Sequence, residues 1–259
     1  MTRGEEWAVV TGASSGIGKA FAEIFASKGV NVVLAARNKP ELEKLAIELQ
    51  KQGVKTQVFA GDLSQIKVVE KFYKDVSAQN LPIDYLINNA GFGDYGMFLD
   101  GDWDKQQAMI DLNITCLTYL TKQFGIDMKK QGKGRILNVA SIASFFPGPL
   151  LAEYYATKAY VLRFSVAVAN ELQGSGVTVT ALCPGPTKTN FAKTAAATRS
   201  GIFSGGDLPT AMDVARYGYT SMIKGKAVAV HGIKNKLSII TTVLLSPALK
   251  AKLIRKVQS

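Results

Sequence analysis

The fold of this chain is decided by the segment Thr11-Gly12-Ala13-Ser14-Ser15-Gly16-Ile17-Gly18. The apolar run Trp7-Ala8-Val9-Val10 before it predicts a short buried strand, and residues 19–26 after it have the apolar spacing of a helix. A strand, a glycine turn and a helix in this order are the context in which such glycines indicate a dinucleotide site. The glycines permit a tight turn, and the helix start offers N–H groups and a positive dipole end to a pyrophosphate.

The rest of the chain alternates between short apolar runs and helical patterns. We predict strands near residues 7–11, 31–36, 55–60, 83–88, 134–140, 177–183 and 226–230, and helices near 17–28, 40–52, 64–79, 103–130, 153–173 and 211–224. Short apolar runs are typical of parallel strands that are buried on both faces. The 259 residues therefore predict an α/β protein with a single doubly wound Rossmann-like domain, in which helices flank a seven-stranded parallel sheet.

Composition narrows the class of protein. Hydrophobic residues make up 47% of the chain, which is typical of a globular domain. Cys116 and Cys183 lie in apolar surroundings without disulfide or metal spacing, which predicts reduced core thiols and a cytoplasmic setting. Residues 1–6 are polar and do not resemble a signal peptide. No continuous apolar run reaches the ~18 residues that a membrane-spanning helix needs.

A second group of polar residues lies in the middle of the chain. Tyr154 and Lys158 are four residues apart, so they share one face of a helix. Because a nearby cation favours the phenolate, we expect Lys158 to lower the pKa of Tyr154 from its ordinary value of about 10. A tyrosine that exchanges a proton beside a bound dinucleotide predicts carbonyl reduction or alcohol oxidation.

These motifs together resemble the classical short-chain dehydrogenase/reductase family. The resemblance covers roughly residues 5–230 and is carried, in order, by Thr-Gly-x-x-x-Gly-Ile-Gly at 11–18, Asp62, Asn88-Asn89-Ala90-Gly91, Asn113, Ser141, Tyr154-x-x-x-Lys158 and Pro184-Gly185. It implies a catalytic set of Asn113, Ser141, Tyr154 and Lys158.

Each member of this catalytic set has a role that the resemblance implies. Tyr154 would protonate the substrate oxygen, and Ser141 would hydrogen-bond that oxygen and stabilise the developing alkoxide. Lys158 would also hydrogen-bond the nicotinamide ribose. Asn113 would hold a water that links Lys158 to solvent.

The resemblance also implies the cofactor contacts. These are Gly12, Ser14, Ser15, Gly16, Ile17, Gly18, Arg37, Asn38, Asp62, Leu63, Asn89, Ala90, Gly91, Tyr154, Lys158, Pro184, Gly185, Thr187 and Thr189. Asp62 would accept from the adenine amino group, and an acid at the start of a helix is an alternative role for it. The backbone near Thr187 would orient the nicotinamide carboxamide, and Thr189 would help to bind the phosphates. A plain turn also explains the prolines of this segment.

The end of the second predicted strand indicates which dinucleotide is bound. An acidic residue there would bind the ribose 2′-hydroxyl and repel a 2′-phosphate, and residues 32–38 contain none. Arg37 offers a planar fork that suits a phosphate, and Asn38 and Ser14 could add donors, although a solvated loop arginine is the alternative. In the family, a small residue followed by arginine implies NADP. We therefore predict NADP(H) and the reductive direction.

Other residues compete for the catalytic roles. Tyr155 is three residues from Lys158, and the family spacing selects Tyr154 instead. Ser144 is a second serine, and it lies closer to the tyrosine than the family pattern expects. We expect the lone histidine, His231, to be structural. No nucleophile elbow supports a hydrolase, and no His/Cys cluster supports a metal site.

The substrate side is less specific. Small residues and glycines over about 188–212 predict a mobile substrate lid. Apolar residues that we expect at the border of the cleft favour an apolar or acyl substrate, although core or rim packing also explains them: Phe92, Phe145, Phe146, Pro147, Leu150 and Leu151.

The C-terminal end has an unusual charge. We expect residues 1–230 to form the NADP-binding catalytic domain and 231–259 to form a basic amphipathic extension. From Val214 to Ser259 the chain has no acidic residue, while its formal net charge is +11. The nine cations of this stretch are Arg216, Lys224, Lys226, Lys234, Lys236, Lys250, Lys252, Arg255 and Lys256.

The charge and the apolar residues of the C-terminal end are consistent with several binding partners. Residues 237–245 are apolar and 247–256 could form a basic amphipathic helix, which indicates peripheral contact with an anionic membrane. Packing on the core or on another subunit, and a lip for an acyl or phosphorylated substrate, are alternatives. Charge alone permits nucleic-acid binding, but no recognised motif supports it.

The sequence therefore predicts an NADPH-dependent oxidoreductase that interconverts an apolar or acyl ketone or aldehyde and an alcohol. The hydride comes from NADPH and the proton from Tyr154. An NAD(P)-dependent epimerase and a non-catalytic NADP-binding sensor recruited to a membrane are the alternatives. The family resemblance implies a homodimer or homotetramer built through the helices near 103–130 and 153–173.

Overall fold

The computed structural model describes residues 5–197 and 208–258. Within these ranges seven parallel strands form one sheet in the order β3-β2-β1-β4-β5-β6-β7. The strands are β1 (Trp7–Thr11), β2 (Asn31–Ala36), β3 (Thr56–Ala60), β4 (Ile83–Asn88), β5 (Gly134–Val139), β6 (Val177–Cys183) and β7 (Val228–Val230). The strand order reverses between β1 and β4, so the predicted doubly wound Rossmann-like α/β fold is confirmed.

Helices connect the strands. They are α1 (Gly16–Ser27), α2 (Lys39–Gln50), α3 (Ile66–Ser77), α4 (Trp103–Ile110), α5 (Leu117–Gln131), α6 (Ala152–Glu171), α7 (Phe191–Thr194), α8 (Ala211–Ile223), α9 (Ile233–Thr242) and α10 (Pro247–Gln258). The long helix predicted over 103–130 is divided, because a π-helical segment, Asp111–Cys116, joins α4 to α5. Short 3₁₀ helices cover Phe98–Asp100 and Ile142–Phe145.

The two faces of the sheet form separate hydrophobic layers. Alternate residues of β1 point to opposite layers: Ala8 and Val10 join the layer of α1, α2 and α8, whereas Trp7 and Val9 join the layer of α3 and α5. Both layers are closed to solvent, so every residue of β1 is buried. This explains why the strand is a continuous apolar run and does not alternate with polar residues.

A buried polar network ties the central strands to the helices behind them. The Asn88 amide on β4 donates to the Asn138 side-chain oxygen on β5 (2.9 Å) and to the Thr121 hydroxyl (3.0 Å). The Asn138 amide in turn donates to the Ser165 hydroxyl on α6 (2.9 Å). Because these groups are closed to water, each depends on its partners for hydrogen bonds.

Part of the predicted lid lies outside the described residues, namely 198–207. In the described part of the lid, α7 is a single helical turn, and Lys188 forms a parallel bridge with Thr210, at the start of α8. The helix predicted over 247–256 is present as α10. No helix within the described ranges is long and apolar enough to cross a membrane.

The Asn88–Asn138 network generates a prediction about stability. Replacing Asn138 by alanine leaves Ser165 without its donor and opens a cavity, so we expect the free energy of unfolding to fall by ~2–4 kcal/mol. Urea unfolding of the purified protein measures this quantity. The exposed Asn170 on α6 is the matched control, and Asn170→Ala should change stability by less than ~0.5 kcal/mol. Equal effects of the two variants would contradict the assigned role of the network.

Candidate active site

The glycine turn is held by the side chain of Asn89. Its amide donates to the carbonyl oxygens of Thr11 (3.0 Å) and Gly12 (3.3 Å). Gly12 has a φ of +65°, and a Cβ on Gly18 would lie 2.3 Å from the Gly12 carbonyl oxygen. Glycine is therefore required at both positions, because any side chain would displace the turn or the start of α1.

The start of α1 has the features of an anion site. Ser15 precedes the helix without capping it, and the first turn of α1 carries no acidic residue. Residues 15–17 line a cleft at the carboxyl edge of the sheet. Uncapped N–H groups and a positive helix end that face a cleft suit a pyrophosphate, so the residues present fit a dinucleotide.

The cleft brings together twelve of the predicted site residues, which are Ser15, Gly16, Ile17, Asn89, Gly91, Ser141, Tyr154, Lys158, Pro184, Gly185, Thr187 and Thr189. The apolar wall of this cleft includes Ile142, Ala143, Leu151 and Phe191. Leu151 is the one residue of the expected apolar border that lines the cleft within the described part of the chain. Phe145, by contrast, packs against a core cluster with Leu117 and Val161.

Ser141 and Tyr154 both line this cleft, and the Ser141 side chain acts to lower the pKa of the Tyr154 hydroxyl. Ser141 follows β5, and its oxygen also accepts from the Ala143 N–H (3.1 Å), which fixes the serine at the start of a 3₁₀ turn. The ring of Tyr154, on α6, packs against Phe191 with 5.1 Å between centroids. The cleft therefore presents two hydroxyls side by side next to an apolar wall.

The pKa of Tyr154 departs from the expected direction. Burial disfavours the phenolate and raises the pKa of Tyr154 above its usual value, and the neighbouring Tyr155 acts in the same sense. The Ser141 side chain works in the opposite direction but is outweighed. The expectation that Lys158 lowers this pKa is wrong for this structure, because Lys158 is not among the groups that shift it. Tyr154 therefore holds its proton at neutral pH.

Lys158 is a buried cation with a backbone partner. Its Nζ donates to the Val139 carbonyl oxygen (2.8 Å) and lies 5.8 Å from the centroid of the Tyr154 ring. Burial lowers the pKa of Lys158 to about 8, although the nearby Cys183 opposes this shift. The ammonium is thus close to the tyrosine but is directed to the end of β5.

The π-helical segment places Asn113. This side chain is buried, and its amide donates to the Phe92 carbonyl oxygen (2.9 Å) and to the Thr157 hydroxyl (3.0 Å). Its oxygen accepts from the Phe92 N–H (3.2 Å). A Cβ on Gly91 would lie 2.8 Å from that oxygen and 3.5 Å from the Lys158 Nζ. Asn113 therefore ties the loop after β4 to α6, next to Lys158, and the water relay predicted for it stays a prediction.

The structure gives the competing residues other positions. The Ser144 hydroxyl donates to the Lys158 carbonyl oxygen (2.7 Å) and is buried, so it anchors α6. The Tyr155 hydroxyl accepts from Gln258 (2.9 Å), away from Ser141. His231 packs against Tyr217 and does not line the cleft, which agrees with a structural role.

The predicted contacts for the adenosine half lie outside the cleft lining. Arg37 and Asn38 are exposed just after β2, and the Asn38 oxygen caps α2 by accepting from Glu41. The Asp62 carboxylate accepts from the Ser64 N–H (3.1 Å) and hydroxyl (2.9 Å), so it forms a local turn and does not cap α3 directly. Leu63 is buried in the core, which leaves its backbone for any contact.

Gly12, Ser14, Gly18 and Ala90 are the other predicted cofactor contacts that do not line the cleft. Ser14 and Ala90 are partly buried, and the Ala90 N–H donates to the Thr11 hydroxyl (3.0 Å). Within the described ranges no group of His, Cys, Asp or Glu has the arrangement of a metal site.

Some residues of the site could not be identified from the sequence. Thr157 and Phe191 are examples: the first anchors Asn113, and the second forms a wall against Tyr154. Thr157 is one of the unspecified positions of the Tyr154-x-x-x-Lys158 motif, and Phe191 lies within the predicted lid, but the sequence assigned no contact to either side chain.

Comparison with known proteins agrees with this geometry. A family model described as short chain dehydrogenase matches residues 6–200. The chain is 37% identical to a very-long-chain 3-oxoacyl-CoA reductase from Anas platyrhynchos over 196 residues, which are 72% of this chain and 61% of that protein. It is 32% identical to a 7beta-hydroxysteroid dehydrogenase from Collinsella aerofaciens over 185 residues, which are 71% of this chain and 70% of that protein. The chain thus spans about three fifths of the length of the first of these relatives.

A solved structure is similar over almost the whole chain. A short-chain dehydrogenase from Sphingobium yanoikuyae in complex with NADPH superimposes with a TM-score of 0.82 at 28% identity, and covers 91% of this chain and 92% of its own. The fold, the cleft and these matches lead to one conclusion: the chain belongs to the classical short-chain dehydrogenase/reductase family of nicotinamide-dependent oxidoreductases.

Proposed function

We propose that the protein is an NADPH-dependent reductase that interconverts an apolar ketone or aldehyde and the corresponding alcohol. The observation that carries this proposal is that Ser141 and Tyr154 line the same cleft as the uncapped start of α1. A proton donor and an anion site that share one cleft are what carbonyl reduction with a dinucleotide requires.

Each of three residues of the cleft has a separate role in the reaction. The Ser141 hydroxyl donates a hydrogen bond to the substrate oxygen and stabilises its developing negative charge. Tyr154 gives its proton to that oxygen, and its raised pKa means that the proton is present at neutral pH. Lys158, fixed on the Val139 carbonyl, provides a cation near the tyrosine ring when the phenolate forms. In the oxidative direction the same groups act in reverse.

The cofactor would be held by the glycine turn, the start of α1 and the segment from Pro184 to Thr189. When bound, NADPH supplies the hydride. Thr187 is buried and its hydroxyl donates to the Gly185 carbonyl oxygen (2.9 Å), so the backbone of this segment is fixed beside Ser141. Asn113, through Phe92 and Thr157, holds the loop after β4 against α6.

Removing the Tyr154 hydroxyl tests the mechanism. Tyr154→Phe should lower kcat for ketone reduction by at least ~100-fold, because general acid catalysis contributes about that much. NADPH affinity, measured by fluorescence titration, should change less than ~2-fold since the ring stays in place. Tyr160, exposed on the same helix, is the matched control, and Tyr160→Phe should keep full activity. Unchanged turnover in Tyr154→Phe would exclude this tyrosine as the acid.

The preference for NADPH is supported by the exposed cation at the end of β2. Arg37 follows the buried residue Ala36, and no acidic residue lies between Asn31 and Lys39. A guanidinium at the carboxyl edge of β2 suits the 2′-phosphate of NADPH, and the missing carboxylate removes the partner that NADH would use.

Reversing this charge should reverse the preference. Arg37→Asp should weaken NADPH binding by ~10–100-fold, because it replaces a charge-assisted hydrogen bond by repulsion, while NADH binding changes little. Both affinities are measured by titration of the same preparation. Lys51→Asp, at the far end of α2, controls for net charge and should leave the ratio of the two affinities unchanged. An unchanged ratio in Arg37→Asp would remove Arg37 from this role.

An apolar or acyl substrate is supported by the apolar wall of the cleft. Leu151, Ala143 and Phe191 line this side, and none of them offers a charge to a sugar or an acid. The relatives described above include enzymes named for a very-long-chain 3-oxoacyl-CoA, whose acyl chain is long and apolar, and for a hydroxysteroid, whose ring system is apolar. We infer that this chain accepts a bulky apolar carbonyl compound of the same kind.

We further propose a homodimer or homotetramer built through α5 and α6. Ile126 on α5 and Tyr160 and Val166 on α6 are large hydrophobic side chains that are exposed in the single chain. A second copy packed on these helices would cover them.

The basic extension supports peripheral contact with a membrane. The catalytic and cofactor residues all fall within 1–230, whereas eight exposed large hydrophobic side chains lie within 233–257, namely Ile233, Leu237, Ile240, Val243, Leu244, Leu249, Leu253 and Val257. We call this set the C-terminal surface. Ile233, Leu237 and Ile240 recur at steps of four and three residues, so they share one face of α9. Leu249, Leu253 and Val257 recur at steps of four on α10.

Charge favours an anionic membrane over a second copy of the chain. Six cations and no acidic residue lie within 231–258, so two such surfaces facing each other would bring like charges together. Exposed apolar rows flanked by lysines suit the boundary between anionic headgroups and acyl chains. The protein would lie on the cytoplasmic side, where its buried free thiols, Cys116 and Cys183, stay reduced.

Vesicle co-sedimentation tests the C-terminal surface. The protein should bind phosphatidylcholine vesicles that contain phosphatidylserine, and should not bind phosphatidylcholine alone. Leu237→Ser should reduce binding by about tenfold, because inserting one leucine contributes ~1.5 kcal/mol. Leu99, which is 90% exposed beside Asp100, is the matched control, and Leu99→Ser should bind as the unmodified protein does. Equal binding by all three proteins would exclude this surface.

A further inference from the structure

The last turn of α10 carries one side chain that is closed to solvent. Gln258 has no exposed surface, although the preceding residues Arg255, Lys256 and Val257 are exposed. Glutamine is rarely buried unless its amide forms hydrogen bonds within the protein, because an amide loses its hydrogen bonds to water on burial. The end of α10 is thus inserted into the domain and does not lie on its surface.

Gln258 bridges two elements that are far apart in the chain. Its side-chain Nε2 donates to the Tyr155 hydroxyl (2.9 Å), on α6. Its backbone carbonyl oxygen accepts from the Tyr95 hydroxyl (3.0 Å), in the loop after β4. Ile254, one turn earlier on α10, packs against the apolar cluster that contains both tyrosines and Tyr154.

Each of the two bridged tyrosines is linked to a ring contact of the catalytic tyrosine. Tyr155 lines the cleft and meets the ring of Tyr154 edge to face, with 6.2 Å between centroids. The Tyr95 N–H donates to the carbonyl oxygen of Ala195 (2.9 Å), which follows α7. The first residue of α7 is Phe191, whose ring also packs against Tyr154. Gln258 thus connects both supports of the Tyr154 ring.

The amide of Gln258 contributes orientation more than stability. Its side-chain oxygen is buried and has no hydrogen-bond partner among the described residues, which is unfavourable for stability. A methionine of similar size would fill the same space without this cost. What methionine cannot do is fix the directions of the Tyr155 hydroxyl and ring.

We propose that Gln258 is a positioning residue, which sets the substrate wall of the cleft by bridging Tyr155 and Tyr95. The C-terminal extension then belongs to the substrate site, although all the catalytic residues precede it. This inference deepens the proposed function and rests on it, because the wall has a kinetic role only if the cleft reduces a carbonyl substrate. Loss of the bridge releases Tyr155 and widens the cleft beside Leu151.

Gln258→Met tests the bridge. We expect KM for a bulky apolar ketone to rise ~5–10-fold, while kcat falls less than ~3-fold and NADPH affinity stays within ~2-fold, because wall contacts bind the substrate and not the cofactor. For a small ketone, KM should stay within ~2-fold. Gln131, the last residue of α5, is exposed, so Gln131→Met is the matched control and should leave all constants unchanged.

A double-mutant cycle separates positioning from general damage. If Gln258 acts through the Tyr155 hydroxyl, adding Gln258→Met to Tyr155→Phe should raise KM for the bulky ketone by less than ~2-fold. Additive increases would overturn the proposal. So would a lower melting temperature with unchanged KM and kcat, because that result identifies a purely structural residue.

Hydrogen exchange tests the bridge without turnover. Gln258→Met removes the bond to Tyr155 and so loosens the end of α10, whose backbone carbonyl holds Tyr95. Amides of residues 93–97 and 191–197 should therefore exchange faster than in the unmodified protein, while those of β1 and α1 should not change. Unchanged exchange in both segments would overturn the bridge. If the unmodified protein binds NADPH but reduces no ketone, the proposed function fails, and faster exchange would still support the bridge itself.

Discussion

The hydrogen bonds from the Asn89 amide to the carbonyl oxygens of Thr11 and Gly12 are the constraint on which the site depends. They join the ends of β1 and β4, which is where the strand order reverses and a cleft opens. The clamp leaves no room for a Cβ on Gly18, so the start of α1 can lie directly beside the turn. The position of the anion site at the start of α1 therefore follows from this close contact, and so does the place of the cleft beside it.

Burial then decides the acid–base chemistry. It acts in opposite directions on the two ionisable groups, because it raises the pKa of Tyr154 and lowers that of Lys158 to about 8. Both shifts favour the neutral forms, so the tyrosine retains the proton that a reduction consumes. Ser141 is the group that counteracts this effect of burial on Tyr154. The same apolar wall that raises the tyrosine pKa also suits an apolar substrate.

The C-terminal extension has two faces with different properties. Ile254 and Gln258 are directed into the domain, against the tyrosines that flank Tyr154. Leu253 and Val257, on the same helix, are exposed beside lysines. A helix with one face on the substrate wall and the other in lipid would bring an apolar substrate from a membrane directly to the cleft. The basic charge, which favours an anionic membrane, and the apolar wall, which favours an apolar substrate, would then both contribute to the same reaction.

By itself the sequence determined those features that depend on residues close together in the chain. The bounds of the strands and of most helices follow from apolar runs and glycine turns, and the motifs predicted twelve of the residues that line the cleft. Tertiary structure alone decided the interruption at Asn113, where hydrogen bonds to Phe92 and Thr157 accompany a π-helical turn. It also decided the pKa of Tyr154, because burial depends on neighbours such as Phe191, and the place of Gln258, which lies 103 residues from Tyr155. Spacing along a chain describes neighbours within a helix or strand, whereas desolvation and long-range hydrogen bonds exist only once distant segments pack together.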